Sequence, residues 1–111
     1  MKLNTRQTYK TLTGKTIEAQ DGTASKVLTL GMVLSEVVLA PHRDKNGFRP
    51  LKSYELAQKF YDREEVELDN SDYIQIKELV EGTENYGTII IAQTLLMLEE
   101  AKGSEEETKK K

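Results

Sequence analysis

The sequence predicts a mainly helical α+β fold, in which an N-terminal β-hairpin is followed by about four short helices. The first quarter of the chain is rich in threonine, which suits a pleated, half-buried strand. Apolar residues then recur at helical spacing in four separate segments. With 111 residues, of which 37% are hydrophobic and 32% charged, the chain has the length and composition of one globular domain.

The hairpin is predicted over about residues 3–23. Two runs that suit strands, residues 9–12 and 15–17, flank Thr13-Gly14, where glycine supplies the freedom to turn. Asp21-Gly22 is a second turn signal. An isolated hairpin is only marginally stable in water, so we expect this one to pack on the rest of the chain or to pair with another chain.

The helical body is predicted over about residues 29–102. Its helices span about residues 29–40, 51–63, 71–81 and 86–102. Thr29 is a suitable N-cap for the first helix, and Pro41 ends it. Asp69, Asn70 and Ser71 are all suitable N-caps for the third helix, and Gly82 is its predicted C-cap.

The chain is predicted to form a single compact domain, residues 1–103, followed by a disordered charged tail. Residues 66–68 are too short a run to classify. Gly103 is expected to close the last helix. Residues 104–111 are almost entirely polar and charged, so they lack the apolar surface that would order them.

The last helix gives the clearest physical signal. Between Ile89 and Leu98 only Gln93 and Thr94 are polar, so the helix has no polar face and must be covered nearly all round. It is either the core spine of one monomer or a helix shared across a homo-oligomer interface, for which a closed dimer is the commonest form. The residues expected to carry folding and assembly are Ile89, Ile90, Ile91, Leu95, Met97 and Leu98.

Charge is segregated along the chain. Residues 1–59 contain ten Lys/Arg and five Asp/Glu, a net charge of +5, whereas residues 60–111 contain six and fourteen, a net charge of −8. Opposite charges on two regions can steer self-association and fix its register. Two solvated faces without a partner would give the same pattern.

A basic stretch, residues 42–59, offers an alternative function in nucleic-acid binding. It includes Phe48 and Tyr54. Proteins that bind nucleic acids typically place cationic side chains beside the phosphates and stack aromatic rings on the bases. The candidate contacts are Arg43, Lys45, Arg49, Lys52 and Lys59. No recognition-helix or RNA-binding signature accompanies them, and the acidic second half of the chain would repel a phosphate backbone. A solvated loop is the simpler interpretation.

The acidic run from residue 62 to 72 offers a third alternative, a metal-assisted hydrolase. Its carboxylates are Asp62, Glu64, Glu65, Glu67, Asp69 and Asp72. The run lacks the glycine and the spacing of an EF-hand, and helix capping and solvation explain it more simply. His42 is the only histidine and there is no cysteine. No phosphate-binding or dinucleotide motif is present, so we expect neither an enzyme nor a cofactor nor a metal site.

Nothing in the sequence indicates a membrane protein. The N-terminus has no apolar run after its lysine, and the most apolar stretch, residues 88–98, is shorter than the roughly 20 residues of a spanning helix. We therefore expect a cytoplasmic protein without a membrane partner, and the absence of cysteine agrees with that compartment.

The order of leucine-rich helices and turns resembles small uncharacterised proteins encoded by bacteriophages and prophages. The resemblance covers roughly residues 11–99 and lies in Thr29-Leu30-Gly31, Lys52-Ser53-Tyr54-Glu55-Leu56-Ala57, Asp72, Ile76-Lys77-Glu78-Leu79-Val80 and the closing segment 95–98. It implies a phage setting and a compact, mainly helical body, and it transfers no catalytic or binding residue. The function that the sequence favours is a non-enzymatic, self-associating accessory protein acting by protein–protein contact.

Overall fold

Four helices and four short strands make up the computed structural model, which describes residues 1–21, 24–40 and 49–110. The strands are β1 (Lys2–Asn4), β2 (Glu18–Asp21), β3 (Ala24–Val27) and β4 (Glu65–Glu67). The helices are α1 (Leu30–Leu39), α2 (Pro50–Asp62), α3 (Asn70–Gly82) and α4 (Thr88–Lys110). The predicted class, mainly helical α+β, is confirmed.

Helix α1 packs against both α2 and α3 and is the most deeply buried helix. Thr29 caps it as predicted, because its hydroxyl accepts a hydrogen bond from the backbone N–H of Met32 at 3.4 Å. Seven of its ten residues are buried. Helix α2 approaches α1 closely at Gly31, where a Cβ atom would collide with the carbonyl oxygen of Phe60.

A two-stranded antiparallel sheet ties the beginning of the chain to the connection between α2 and α3. In it β1 pairs with β4, which places Leu3 opposite Val66, and both side chains are buried. Beside the sheet, the terminal ammonium group of Met1 donates to the carbonyl oxygen of Leu68 at 2.7 Å. The sequence assigned residue 3 to the hairpin and left residues 66–68 unclassified, because a pairing between such distant segments has no local signature.

The regular hairpin lies later in the chain than the sequence predicted. It is formed by β2 and β3; Asp21 of the predicted turn signal is the last residue of β2, and Gly22 lies outside the described residues. The earlier turn is also present, since an antiparallel bridge joins Lys10 to Thr16 and Gly14 has a φ of 89°. Its flanks form this isolated bridge rather than regular strands, so the prediction of the hairpin over residues 3–23 is corrected to residues 18–27.

Two helix ends also differ from the sequence prediction. Asp69 is the N-cap of α3, and this was one of the three residues that the sequence offered. The predicted glycine C-cap is wrong, because Gly82 is the last helical residue and Thr83 caps the helix with a φ of −72°. Helix α4 continues through Gly103 to Lys110, where the sequence predicted a disordered tail. A glycine inside a helix costs only about 1 kcal/mol relative to alanine, so it need not end one.

Candidate functional site

The buried face of α4 contains every fourth residue of the first half of the helix. Ile90, Thr94 and Leu98 are 7%, 0% and 0% exposed, and α4 packs against α3 and β1. The other predicted residues of this helix are partly buried and pack against the core; they are Ile89, Ile91, Leu95 and Met97. The structure therefore places all six predicted residues in the core or at its edge.

Two polar residues attach α4 to the N-terminal segment. The backbone N–H of Lys10 donates to Oε1 of Gln93 at 3.0 Å, and Nε2 of Gln93 donates to the carbonyl oxygen of Lys10 at 2.7 Å. The buried hydroxyl of Thr94 lies 2.7 Å from the hydroxyl of Tyr9 and donates to the carbonyl oxygen of Ile90 at 2.8 Å. Because Thr94 has only one hydroxyl proton, Tyr9 is the donor between the two hydroxyl groups.

Sequence reasoning missed this attachment although it noticed both residues. Gln93 and Thr94 were treated as interruptions of an apolar stretch, and they are the residues that hold the segment containing Tyr9 and Lys10. Burial raises the pKa of Tyr9 to about 12, and the hydrogen bond to Thr94 opposes that rise. A phenol with this pKa remains neutral near pH 7, so Tyr9 keeps the proton that it donates to Thr94.

An apolar surface remains on the other side of α4. Leu96 is 58% exposed, Ala92 is exposed and Ile89 is half-buried. With 3.6 residues per turn, these three positions lie within about 60° of one another and share one helix face. We call these three residues the outer stripe. Helix α4 is therefore not enclosed by the described part of its own chain, in contrast to the core spine that the sequence allowed.

The surroundings of the outer stripe differ in charge from one end to the other. Glu99 and Glu100 are exposed and follow the stripe at its C-terminal end. The first turn of α4 has no acidic residue. Lys10 is exposed and is held beside the N-terminal half of α4 by Gln93. Two residues further along the chain, Leu12 is 97% exposed in the turn that Gly14 closes.

Polar contacts join Glu99 and Lys102 of α4 to side chains of α3. Lys77 forms an ion pair with Glu99 at 3.8 Å, and Nζ of Lys102 donates to Oδ1 of Asn70 at 3.0 Å. Lys102 also lies 5.6 Å from the centroid of the Tyr73 ring, within the range of a cation–π contact. The early residues of α3 thus meet the late residues of α4, which shows that the two helices run antiparallel.

Of the basic residues proposed for nucleic-acid binding, the three that the structure describes lie on α2 or at its N-cap. Arg49 is the N-cap of this helix, and Lys59 lies in its last turn, about 15 Å further along the axis. Lys52 is paired with Asp72 of α3 at 3.3 Å. Arg43 and Lys45 lie outside the described residues. Arg49 and Lys52 are three residues apart at the start of the helix, and nucleic-acid binding stays a prediction.

Several carboxylates of the acidic run have structural partners. Asp69 caps α3, Asp72 pairs with Lys52, and Glu67 lies 3.6 Å from the N-terminal ammonium group. Within residues 1–21, 24–40 and 49–110, no three His, Cys, Asp or Glu side chains are grouped so that they could hold a metal ion. The metal-assisted hydrolase stays a prediction that no ligand cluster in these residues supports.

No protein-family model, curated protein or solved structure matches this chain. In the part of the chain that the structure describes, no helix combines the length and the apolarity needed to cross a membrane. The outer stripe of α4 is an exposed apolar surface among the described residues.

Proposed function

We propose that this protein is a non-enzymatic accessory protein that self-associates and acts by protein–protein contact. The observation that supports the proposal most is the outer stripe, in which Leu96 is 58% exposed in a helix segment, residues 89–98, where only Gln93 and Thr94 are polar. Removing apolar surface from water contributes about 25 cal/mol per Å². Single exposed leucines are ordinary, whereas apolar residues grouped on one helix face are typical of contact surfaces. We place the protein in the cytoplasm and, from the resemblance described above, in a phage setting.

The partner that we propose for the outer stripe is a second copy of this chain. In a closed dimer the same surface is used by both subunits, so the surface must be complementary to itself. An antiparallel pairing of two α4 helices about Ala92, the middle residue of the stripe, meets this requirement. It places Ala92 near its own copy and Leu96 of each subunit near Ile89 of the other.

Charge favours the antiparallel arrangement over the parallel one. The acidic end of the stripe, at Glu99 and Glu100, would face the N-terminal end of the partner's α4, where the helix dipole is positive and the first turn has no acidic residue. Lys10 lies near that end as well. A parallel pairing would bring the two acidic ends together, which like-charge repulsion disfavours.

The test is the substitution Leu96→Asp, which places a carboxylate in the proposed interface. Because burying an unpaired carboxylate there costs about 2 kcal/mol or more, we expect the dimer dissociation constant to rise at least about 30-fold. Light scattering on a sizing column measures the molar mass, and circular dichroism checks that the helices are retained. Leu96 is exposed, so the fold should survive the change.

Leu51→Asp is the matched control, because Leu51 is 78% exposed on α2 and lies outside the stripe. We expect this variant to keep the wild-type molar mass. If both variants keep that mass, or both lose it, the outer stripe is not the interface and the proposal fails.

A further inference from the structure

An open groove lies between the β2–β3 hairpin, α1, the end of α2 and the connection that precedes α4. Its volume is about 440 Å³, which is within the range of pockets that bind small molecules or single side chains. Three apolar residues line part of it, namely Ala19, Leu28 and Met32, and we call them the apolar floor. Polar side chains line the remainder, namely Glu18, Ser35, Glu36, Tyr61 and Tyr86.

The polar lining of the groove is acidic and aromatic. None of the described residues that line it is a lysine, arginine or histidine. Tyr61 is 61% exposed, so one ring is available to a ligand, and Tyr86 is half-buried. A cation beside a carboxylate and over an aromatic ring gains from both contacts.

Tyr86 positions the carboxylate of Glu36. The hydroxyl of Tyr86, in the connection before α4, donates a hydrogen bond to Oε2 of Glu36 on α1. Burial raises the pKa of Tyr86, and the neighbouring charge of Glu36 raises it further, so the phenol remains protonated and continues to donate. A carboxylate has two acceptor oxygens, so Oε1 can accept from a ligand while Oε2 is held in place.

We infer that this groove binds an arginine side chain of a protein partner, with the alkyl stem on the apolar floor and the guanidinium group between Glu36 and the tyrosine rings. The planar guanidinium group stacks on aromatic faces and donates in a fixed fork, which a lysine ammonium group cannot do. The groove is separate from the outer stripe, with which it shares no residue. Loss of arginine binding would therefore not affect the proposed self-association, and loss of self-association would not affect arginine binding.

The experiment is an NMR titration of the isotopically labelled full chain with N-acetyl-arginine methylamide. We expect shifts of the amide signals of Met32, Glu36 and Tyr86. The citrulline analogue has nearly the same shape without the charge, and we expect it to bind at least about fivefold more weakly. The lysine analogue should also bind more weakly than arginine. If the arginine probe shifts none of these signals, or if either analogue binds as well, the inference is overturned.

Two variants locate the binding. Glu36→Gln removes the charge from the groove and is expected to weaken binding of the arginine probe about fivefold. Glu78→Gln removes the same charge from an exposed position on α3 outside the groove, and should leave the affinity unchanged. An equal loss of affinity in both variants would show general attraction to an acidic protein and would overturn the site.

Discussion

Helices α1 and α4 are similar in sequence and differ in their surroundings. Both contain a run of about ten residues that is apolar on every side, broken by only two polar residues: Ser35 and Glu36 in α1, Gln93 and Thr94 in α4. Seven of the ten residues of α1 are buried, because α2 and α3 both pack against it. Helix α4 contacts α3 and β1 and leaves Leu96 58% exposed. The apolarity of a helix thus predicts that it must be covered, but not that its own chain covers it.

The two helices also use their polar residues differently. In α1 the hydroxyl of Ser35 turns inward and lies within hydrogen-bond distance of the carbonyl oxygens of Gly31 and Ala57, at 2.7 and 3.1 Å, so it serves the contact between α1 and α2. In α4 the residues Gln93 and Thr94 hold the N-terminal segment. Both helices therefore combine packing with specific hydrogen bonds, from α1 to α2 through Ser35 and from α4 to the N-terminal segment through Gln93 and Thr94.

The largest expected effect is a difference in stability between substitutions on the two faces of α4. Ile90 is 7% exposed, so Ile90→Asp would bury a carboxylate without a partner, and we expect a loss of more than about 4 kcal/mol in the free energy of unfolding. At protein concentrations low enough for both wild type and variant to be monomeric, Leu96→Asp should lower it by less than about 1 kcal/mol, because the new side chain remains in water. Chemical denaturation followed by circular dichroism measures both. Similar losses in the two variants would mean that α4 has no exposed face.

The second effect is a loss of stability at alkaline pH that arises at the attachment of α4. The pKa of Tyr9 is raised from 10 when unfolded to about 12 when folded, so its contribution to stability is complete below about pH 10. That contribution decreases as the pH rises from about 10 to about 12, by about 3 kcal/mol in total. The raised pKa of Tyr86 acts in the same direction.

Urea denaturation of the wild type and of Tyr9→Phe over this pH range tests the assignment. At neutral pH the variant should lose only about 1 kcal/mol, because Thr94 keeps its hydrogen bond to Ile90. Above pH 10 the variant should lose less stability than the wild type does. Parallel curves for the two proteins would show that the alkaline loss arises elsewhere.

A smaller effect on stability is expected from glycine-to-alanine substitutions, one in α1 and one in α4. Gly31→Ala should cost about 1–3 kcal/mol, because the added Cβ meets the backbone of α2 at Phe60, which cannot move independently. Gly103→Ala adds the same atom to α4, where nothing lies within 4 Å of the new Cβ, and should stabilise the helix by up to about 1 kcal/mol. Thermal unfolding measures the two changes. A neutral Gly31→Ala would contradict the close approach of α1 and α2.

The sequence was a good guide to features that depend on neighbouring residues. The N-cap at Thr29 and the positions of α2 and α3 follow from local patterns of capping and periodicity, and the structure confirms them. The turn at Gly14 was predicted for the same reason. The fold class could be predicted because it needs only the number and type of such local elements.

Features that depend on distant residues could not be predicted in this way. Nothing near Leu3 indicates that it pairs with Val66, and nothing near Gln93 indicates that it holds the backbone of Lys10. The sequence likewise left open whether α4 is a core spine or a helix shared across an interface, because its composition shows that it is apolar but not which elements reach it. The outer stripe and the groove at Glu36 both arise from such long-range packing.

The most direct measurement is the molar mass of the wild-type protein by light scattering, over a range of concentrations and at low and high salt. We expect about twice the 12.6 kDa mass of one chain, retained at high salt because the outer stripe is apolar. Salt should weaken only the contribution of Glu99, Glu100 and Lys10, through screening. A mass of 12.6 kDa at every concentration and both salts would contradict self-association through α4.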